Sequence, residues 1–200
     1  MANTNAPFGL RPLMAGGSAP TGFANWTRKN GILYNNATAI YSGDLVQTLS
    51  TGYLGQWTAT TAASQCAGVF VGCERYSTSQ NTKYYSPYWP GTDAASGTVD
   101  AFLIPIQQAA NMMFVIQTDG TGITVADIGA NADIVVGTGS TSGGCFSGSY
   151  LDTGTLNTTA TLPLRIMDLW SNWCPVGPGT QAGAYNWAVV SINMTGQTGI

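Results

Sequence analysis

Apolar residues along this chain recur at every second position far more often than at every third or fourth. Met112, Phe114 and Ile116 share one side of the run from Met112 to Thr118, with Met113, Val115 and Gln117 on the other. Ala188, Val190, Ile192 and Met194 alternate in the same way with Trp187, Val189, Ser191 and Asn193. Successive side chains of a strand point to opposite faces, so this period of two predicts half-buried strands. Further strands are predicted over Thr38–Tyr41, Leu45–Leu49, Val69–Tyr76 and Val99–Ile106. Another runs through Leu162, Leu164 and Ile166, and Pro163, which has no N–H for a ladder, marks its start as an edge. Ser42-Gly43-Asp44 reads as a hairpin-like turn between two of these runs. No segment carries a sustained helical period, and a helical turn near Ala126–Ala132 is the one weak exception. No fixed-period repeat is present. The fold class predicted is mainly β, one compact barrel or sandwich spanning residues 31–200.

The first thirty residues break this pattern. Pro7, Pro12, Pro20 and the pair Gly16-Gly17 suit an extended N-terminal arm over residues 1–30. Within it, Pro7-Phe8-Gly9-Leu10-Arg11-Pro12 sets two large apolar side chains and a cation in a stiff segment too short to form its own core. Phe8 and Leu10 must therefore dock, either on this chain's own domain or on a neighbouring subunit. A second unusual stretch, Tyr84-Tyr85-Ser86-Pro87-Tyr88-Trp89-Pro90-Gly91, reads as a proline-bounded aromatic loop. Tyr84, Tyr85, Tyr88 and Trp89 suit internal packing, a protein interface or stacking on sugar rings.

Composition narrows the chemistry. Only 8% of residues are charged, against roughly 25% in typical soluble domains, so Thr, Ser, Asn, Gln and Gly must supply the polar surface. Such a surface suits wide contacts between neighbours that must not repel. The six Lys and Arg residues are scattered and the net charge is −3, which argues against binding nucleic acid. No apolar run reaches the ~18 residues of a membrane helix. The opening residues lack a basic patch followed by an apolar core, so synthesis in the cytoplasm without a signal peptide is expected.

The chain has no histidine, which removes the commonest general base and the Ser-His and Cys-His nucleophile pairs. Most of the nine acids sit in turn-like settings, such as Asp44, Asp119 and Asp152, where Asp ordinarily bonds local N–H groups. Gly137–Gly144 lacks the Gly-Lys-Ser/Thr ending of a phosphate loop. Cys66, Cys73, Cys145 and Cys174 do not follow a zinc spacing, and read as buried or incidental thiols or as a disulfide. The expectation is a non-enzymatic protein without metal or cofactor.

The six segments Asn5–Pro12, Ile40–Val46, Gly68–Glu74, Lys83–Pro90, Phe114–Gly120 and Pro163–Ile166, taken in order, resemble a family of small tailed-phage head proteins, the decoration or cement proteins. Asn5-Ala6-Pro7-Phe8-Gly9-Leu10-Arg11-Pro12 resembles its opening, and Ile40-Tyr41-Ser42-Gly43-Asp44-Leu45-Val46 is similar to its Gly-Asp hairpin. Gly68-Val69-Phe70-Val71-Gly72-Cys73-Glu74 and Phe114-Val115-Ile116-Gln117-Thr118-Asp119-Gly120 resemble two further segments. Lys83-Tyr84-Tyr85 through Tyr88-Trp89-Pro90 looks like a shorter element carrying an insertion, and Pro163-Leu164-Arg165-Ile166 is similar to a late strand. The resemblance implies a β-rich subunit on the outer surface of a phage head, clamping adjacent major capsid subunits and associating as a homodimer or homotrimer. On that reading Pro7, Phe8, Leu10, Arg11 and Pro12 contact a capsid or neighbouring subunit. The alternative is a head-fibre or tail module that binds host glycans through Tyr84, Tyr85, Tyr88 and Trp89.

Overall fold

The computed structural model describes residues 2–15, 25–58, 65–142 and 144–193. Among them are the strands β1 (Arg11–Ala15), β2 (Trp26–Arg28), β3 (Ile40–Tyr41), β4 (Leu45–Thr48), β5 (Leu54–Gln56), β6 (Cys66–Ser77) and β7 (Thr82–Ser86). The second half supplies β8 (Tyr88–Trp89), β9 (Asp100–Pro105), β10 (Met112–Gln117), β11 (Asn131–Val135), β12 (Tyr150–Asn157), β13 (Leu164–Leu169) and β14 (Trp187–Ile192). The helical elements fully within the described residues are α1 (Ile106–Ala109), α2 (Trp170–Trp173) and a 3₁₀ turn at Val125–Asp127. The chain is mainly β.

One sheet runs β1-β10-β14-β13-β11-β12 and a second runs β2-β9-β6-β4-β5, with β7 pairing the far half of β6. Strands β3 and β8 form a small separate ribbon. Every pair of named strands is antiparallel. The first sheet ends at β1 and β12 and the second at β2, β5 and β7, so neither closes into a barrel among the described residues.

The central parts of β4, β6 and β9 in the second sheet are buried on both faces. Leu45, Val69 and Ile104 point into a core shared with Phe114, Ile116, Val190 and Leu151 of the first sheet. Their chain neighbours Val46, Phe70 and Leu103 point the other way, into a core with Ile32, Ile40, Trp89 and Val99. Consecutive strand residues face opposite sides, so a strand covered on both reads as an unbroken apolar run. That is why Val69-Phe70 and Leu103-Ile104 show no polar alternation.

Three expectations change. The described part of the N-terminal arm is built into the fold: β1 pairs with β10 and β2 with β9. Ser42-Gly43-Asp44 is a tight turn, closed by the Asp44 N–H bonding the Tyr41 carbonyl at 2.9 Å, but it is not a hairpin. It is a corner, since β3 goes on to pair with β8 while β4 pairs with β5 and β6. The 3₁₀ turn at Val125–Asp127 is capped by Thr124 and Asp127, and Asn131–Val135 beyond it is strand rather than helix.

Candidate functional site

The Pro7–Pro12 segment, the Ser42–Asp44 corner and the stretch leading into β12 meet at one place. The Leu10 N–H bonds the Gly43 carbonyl at 2.8 Å, the Gly9 N–H bonds the Ser149 carbonyl at 3.1 Å, and the Ser147 N–H bonds the Ser42 carbonyl at 3.0 Å. Three stretches far apart in sequence thus share one knot. Gly9 has φ +70°, and a Cβ there would lie 2.5 Å from the Ser147 Cβ and 2.6 Å from the Gly43 carbonyl oxygen. A larger residue at position 9 would be strained in its backbone and would collide with both partners.

Asp44 is the centre of the knot and is 1% exposed. Its carboxylate accepts hydrogen bonds from the hydroxyls of Ser147 and Ser149, from the Tyr41 N–H at 2.8 Å and from the Gln56 side-chain amide at 3.1 Å. Burial pushes its pKa up, and the four bonds offset part of that rise. This is a structural carboxylate, and its local bond to Tyr41 is the one that the turn setting predicts.

Phe8 and Leu10 are 7% and 2% exposed. Leu10 enters the core between the sheets, and Phe8 packs edge-on against Trp187 with ring centroids 4.8 Å apart. Neither side chain is left to fill a pocket on a neighbouring subunit, because this chain's own sheets already cover both. The surface keeps Arg11, which is exposed, with Pro7 and Pro12 half-buried. The Arg11 guanidinium lies 3.9 Å from the centroid of the Phe146 ring and 4.8 Å from that of Phe8. Cation–π attraction of this kind holds the long side chain in place at the surface.

Arg11 borders a cleft of about 290 Å³ lined by Phe8, Pro12, Leu13, Val115, Trp170 and Trp187. A neighbouring cleft of about 600 Å³ shares Trp187 and lies between Ala2–Ala6 and the Pro175–Gln181 loop. Apart from Arg11, the walls of both clefts carry no charged side chain. Trp173 and Val176 lie further along α2 and its following loop, 41% and 83% exposed. Phe146, Trp170 and Trp187 were missed as site residues by sequence reasoning. The pair Trp170 and Trp173, three apart, was the signal available.

The four aromatics of the supposed loop separate. Tyr84 and Tyr85 lie on β7, 50% and 61% exposed. Trp89 on β8 is fully buried, with its indole N–H bonding the Asn36 carbonyl at 2.9 Å. Tyr88 is half-buried and stacks on Tyr41 at 5.5 Å. Only Tyr84 and Tyr85 remain as surface candidates. Beside them the exposed face of the second sheet carries the ion pairs Lys83–Glu74 and Lys29–Asp100, both at 2.6 Å.

The remaining acids are engaged locally. Asp93 accepts from the Ser77 and Thr78 hydroxyls and the Ser79 N–H, which hold it well below the usual carboxylate range. Asp133 and Asp152 face each other across β11 and β12, and burial raises Asp133, with the charge of Asp152 adding to the rise. Among the described residues no three metal-ligating side chains cluster. All four cysteines are free thiols, two of them buried. Burial pushes the Cys66 thiol up to about 12 and the Cys73 thiol up to about 11.

No family model, curated protein or solved structure matches this chain.

Proposed function

We propose that this protein is a structural subunit of a tailed-phage head, seated on the outer surface and bridging adjacent major capsid subunits. The observation that carries this reading is the surface around Arg11. The Pro7–Pro12 segment is anchored from below by Phe8 and Leu10, and it presents a ring-held guanidinium beside two tryptophan-lined clefts. A rigid aromatic surface with one fixed fork of donors loses little conformational entropy on binding, which suits a permanent protein contact. The scattered cations favour the outside of the shell over packaged DNA. In this reading the two large sheets pack face to face as a sandwich around the core that holds Leu10, Val69 and Phe114.

The test is to add purified protein to undecorated heads, count bound copies and locate the added density by electron microscopy. Density between major capsid subunits, in many symmetric copies, is the expected result. No binding to heads, or a few copies on the tail only, would sink the proposal.

A second reading has one observation in its favour, the exposure of Tyr84 and Tyr85 beside charged pairs. There the protein binds host glycans by stacking sugar rings on these tyrosines. Glycan-array binding that is lost in Tyr85→Ala would favour it.

A further inference from the structure

Strand β7 has an open edge whose form can be worked out residue by residue. On the opposite side of β6, the Tyr76 N–H bonds the Thr98 hydroxyl at 3.3 Å, and the Tyr76 carbonyl accepts from the Ala95 N–H at 3.0 Å. Both backbone groups of Tyr76 therefore point away from β7. In an antiparallel ladder this makes Tyr76 and its partner Lys83 a non-hydrogen-bonded pair. The N–H and C=O of Lys83 must then point outward from the sheet, and so must those of Tyr85 two residues on. Among the described residues no group outside the β6 ladder bonds them. Thr82 to Tyr85 are all exposed.

An open edge of this kind is a template for another strand. We propose that β7 pairs antiparallel with β7 of a second copy of this chain, about a two-fold axis through Tyr84. The ends of the edge select the register. Centred on Tyr84, Lys83 lies opposite Tyr85 of the second copy, and all four outward groups of each strand find partners. Sliding one way sets Lys83 against its own copy and Tyr85 against Asn81, where the backbone turns into the left-handed region with φ +50°. Sliding the other way sets Lys83 against Pro87, which has no N–H to give. Only the Tyr84-centred register avoids facing lysines and uses every donor and acceptor. It also sets the Lys83 stem, whose ammonium stays paired with Glu74 of its own chain, beside a Tyr85 ring of the second copy, and covers two tyrosines that are half or more exposed in the single chain. A short edge joint is weak alone and gains when copies are held close together on a larger surface. The proposal stands independently of a place on a phage head, because purified protein alone tests it.

The test begins with sedimentation equilibrium of the full chain, monomer mass 20.8 kDa. The expected result is a mass that rises toward the dimer with concentration. Lys83→Pro removes an outward N–H without touching the β6 ladder, and it raises the dissociation constant by about tenfold or more with circular dichroism unchanged. Disulfide trapping gives a second readout in a background with Cys145→Ser and Cys174→Ser. Residues facing each other in a non-hydrogen-bonded antiparallel pair have Cα atoms about 4.5 Å apart, within disulfide reach. Tyr84→Cys should therefore oxidise to a covalent dimer. Thr82→Cys, which faces Ser86 of the second copy, should not. A wild-type chain that stays monomeric up to about millimolar concentration overturns the proposal. Equal linking by Thr82→Cys and Tyr84→Cys overturns it too, as does a wild-type dimer that Lys83→Pro leaves unweakened.

Discussion

The Asp44 carboxylate accepts a hydrogen bond from the Ser149 hydroxyl at 3.0 Å, although 105 residues separate the two. The bond ties the corner between β3 and β4 to the segment that leads into β12. Asp44→Ala would leave two buried hydroxyls, a backbone N–H and a side-chain amide short of an acceptor. It should cost about 3 kcal/mol or more at neutral pH, read as a lower urea midpoint. Asp44→Asn keeps one acceptor oxygen but sets an NH₂ among donors, so its midpoint should fall between the two.

Titration adds a separate check. Burial raises Asp44 in the fold above its unfolded value near 3.8. Its contribution to stability is then fully present below that value and declines as pH rises through the folded pKa. The destabilisation caused by Asp44→Asn should therefore be greatest near pH 3 and shrink toward neutrality. Asp119 behaves in the opposite sense. Burial would raise it, but the Thr153 hydroxyl and N–H, with the Thr121 and Gly122 N–H groups, outweigh burial and hold it low. Its contribution is present above about pH 4 and lost as pH falls, so Asp119→Asn should flatten the acid limb of a stability-against-pH curve.

Anchor and display are separable at the N-terminus. Leu10→Ala and Phe8→Ala should each cost about 2–5 kcal/mol of fold stability, because both remove buried side chains from packed surroundings. Arg11→Ala gives up exposed cation–π contacts worth about 1 kcal/mol and should leave the melting temperature nearly unchanged. On the proposed function, Arg11→Ala should still reduce the number of copies bound to undecorated heads. Thermal melts beside a head-binding assay would separate the two effects.

Thiol chemistry tests the core. Cys66 and Cys73 are 5% and 0% exposed, with thiols raised to about 12 and 11. The native protein at pH 8 should take alkylating reagent at Cys145 and Cys174 and resist it at Cys66 and Cys73. Denaturant should open all four. Rapid native labelling of Cys73 would show that the core between Phe70 and Trp89 is looser than described.

The alternation of Met112, Phe114 and Ile116, and of Ala188, Val190 and Ile192, was enough to place β10 and β14 and to choose their buried faces. Side-chain direction along a strand is a local property, and the alternation marked the core face even though Val115, Gln117 and Val189 on the other face are buried as well. Turn chemistry was equally local: Asp44 was expected to bond a nearby backbone N–H, and that of Tyr41 is the one it accepts from. Strands β11 and β12 escaped because polar residues such as Asn131 and Thr153 are buried in them, the Asn131 amide N–H bonding the Thr159 carbonyl and the Thr153 hydroxyl bonding Asp119.

Other features depended on which distant segments meet. Nothing near Phe8 in the chain says that Trp187 will cover it, and nothing near Tyr84 says that Trp89, five residues on, will be sealed inside while Tyr84 stays in solvent. The candidate site has the same origin. Arg11 is set between Phe8 and Phe146, and the clefts beside it form where Trp170 and Trp187 come together. The sequence alone decided that this chain is mainly β and contains no histidine, since both follow from residue types and their spacing. The tertiary structure decided which aromatics are core and which are surface, because burial depends on the partner across the sheet.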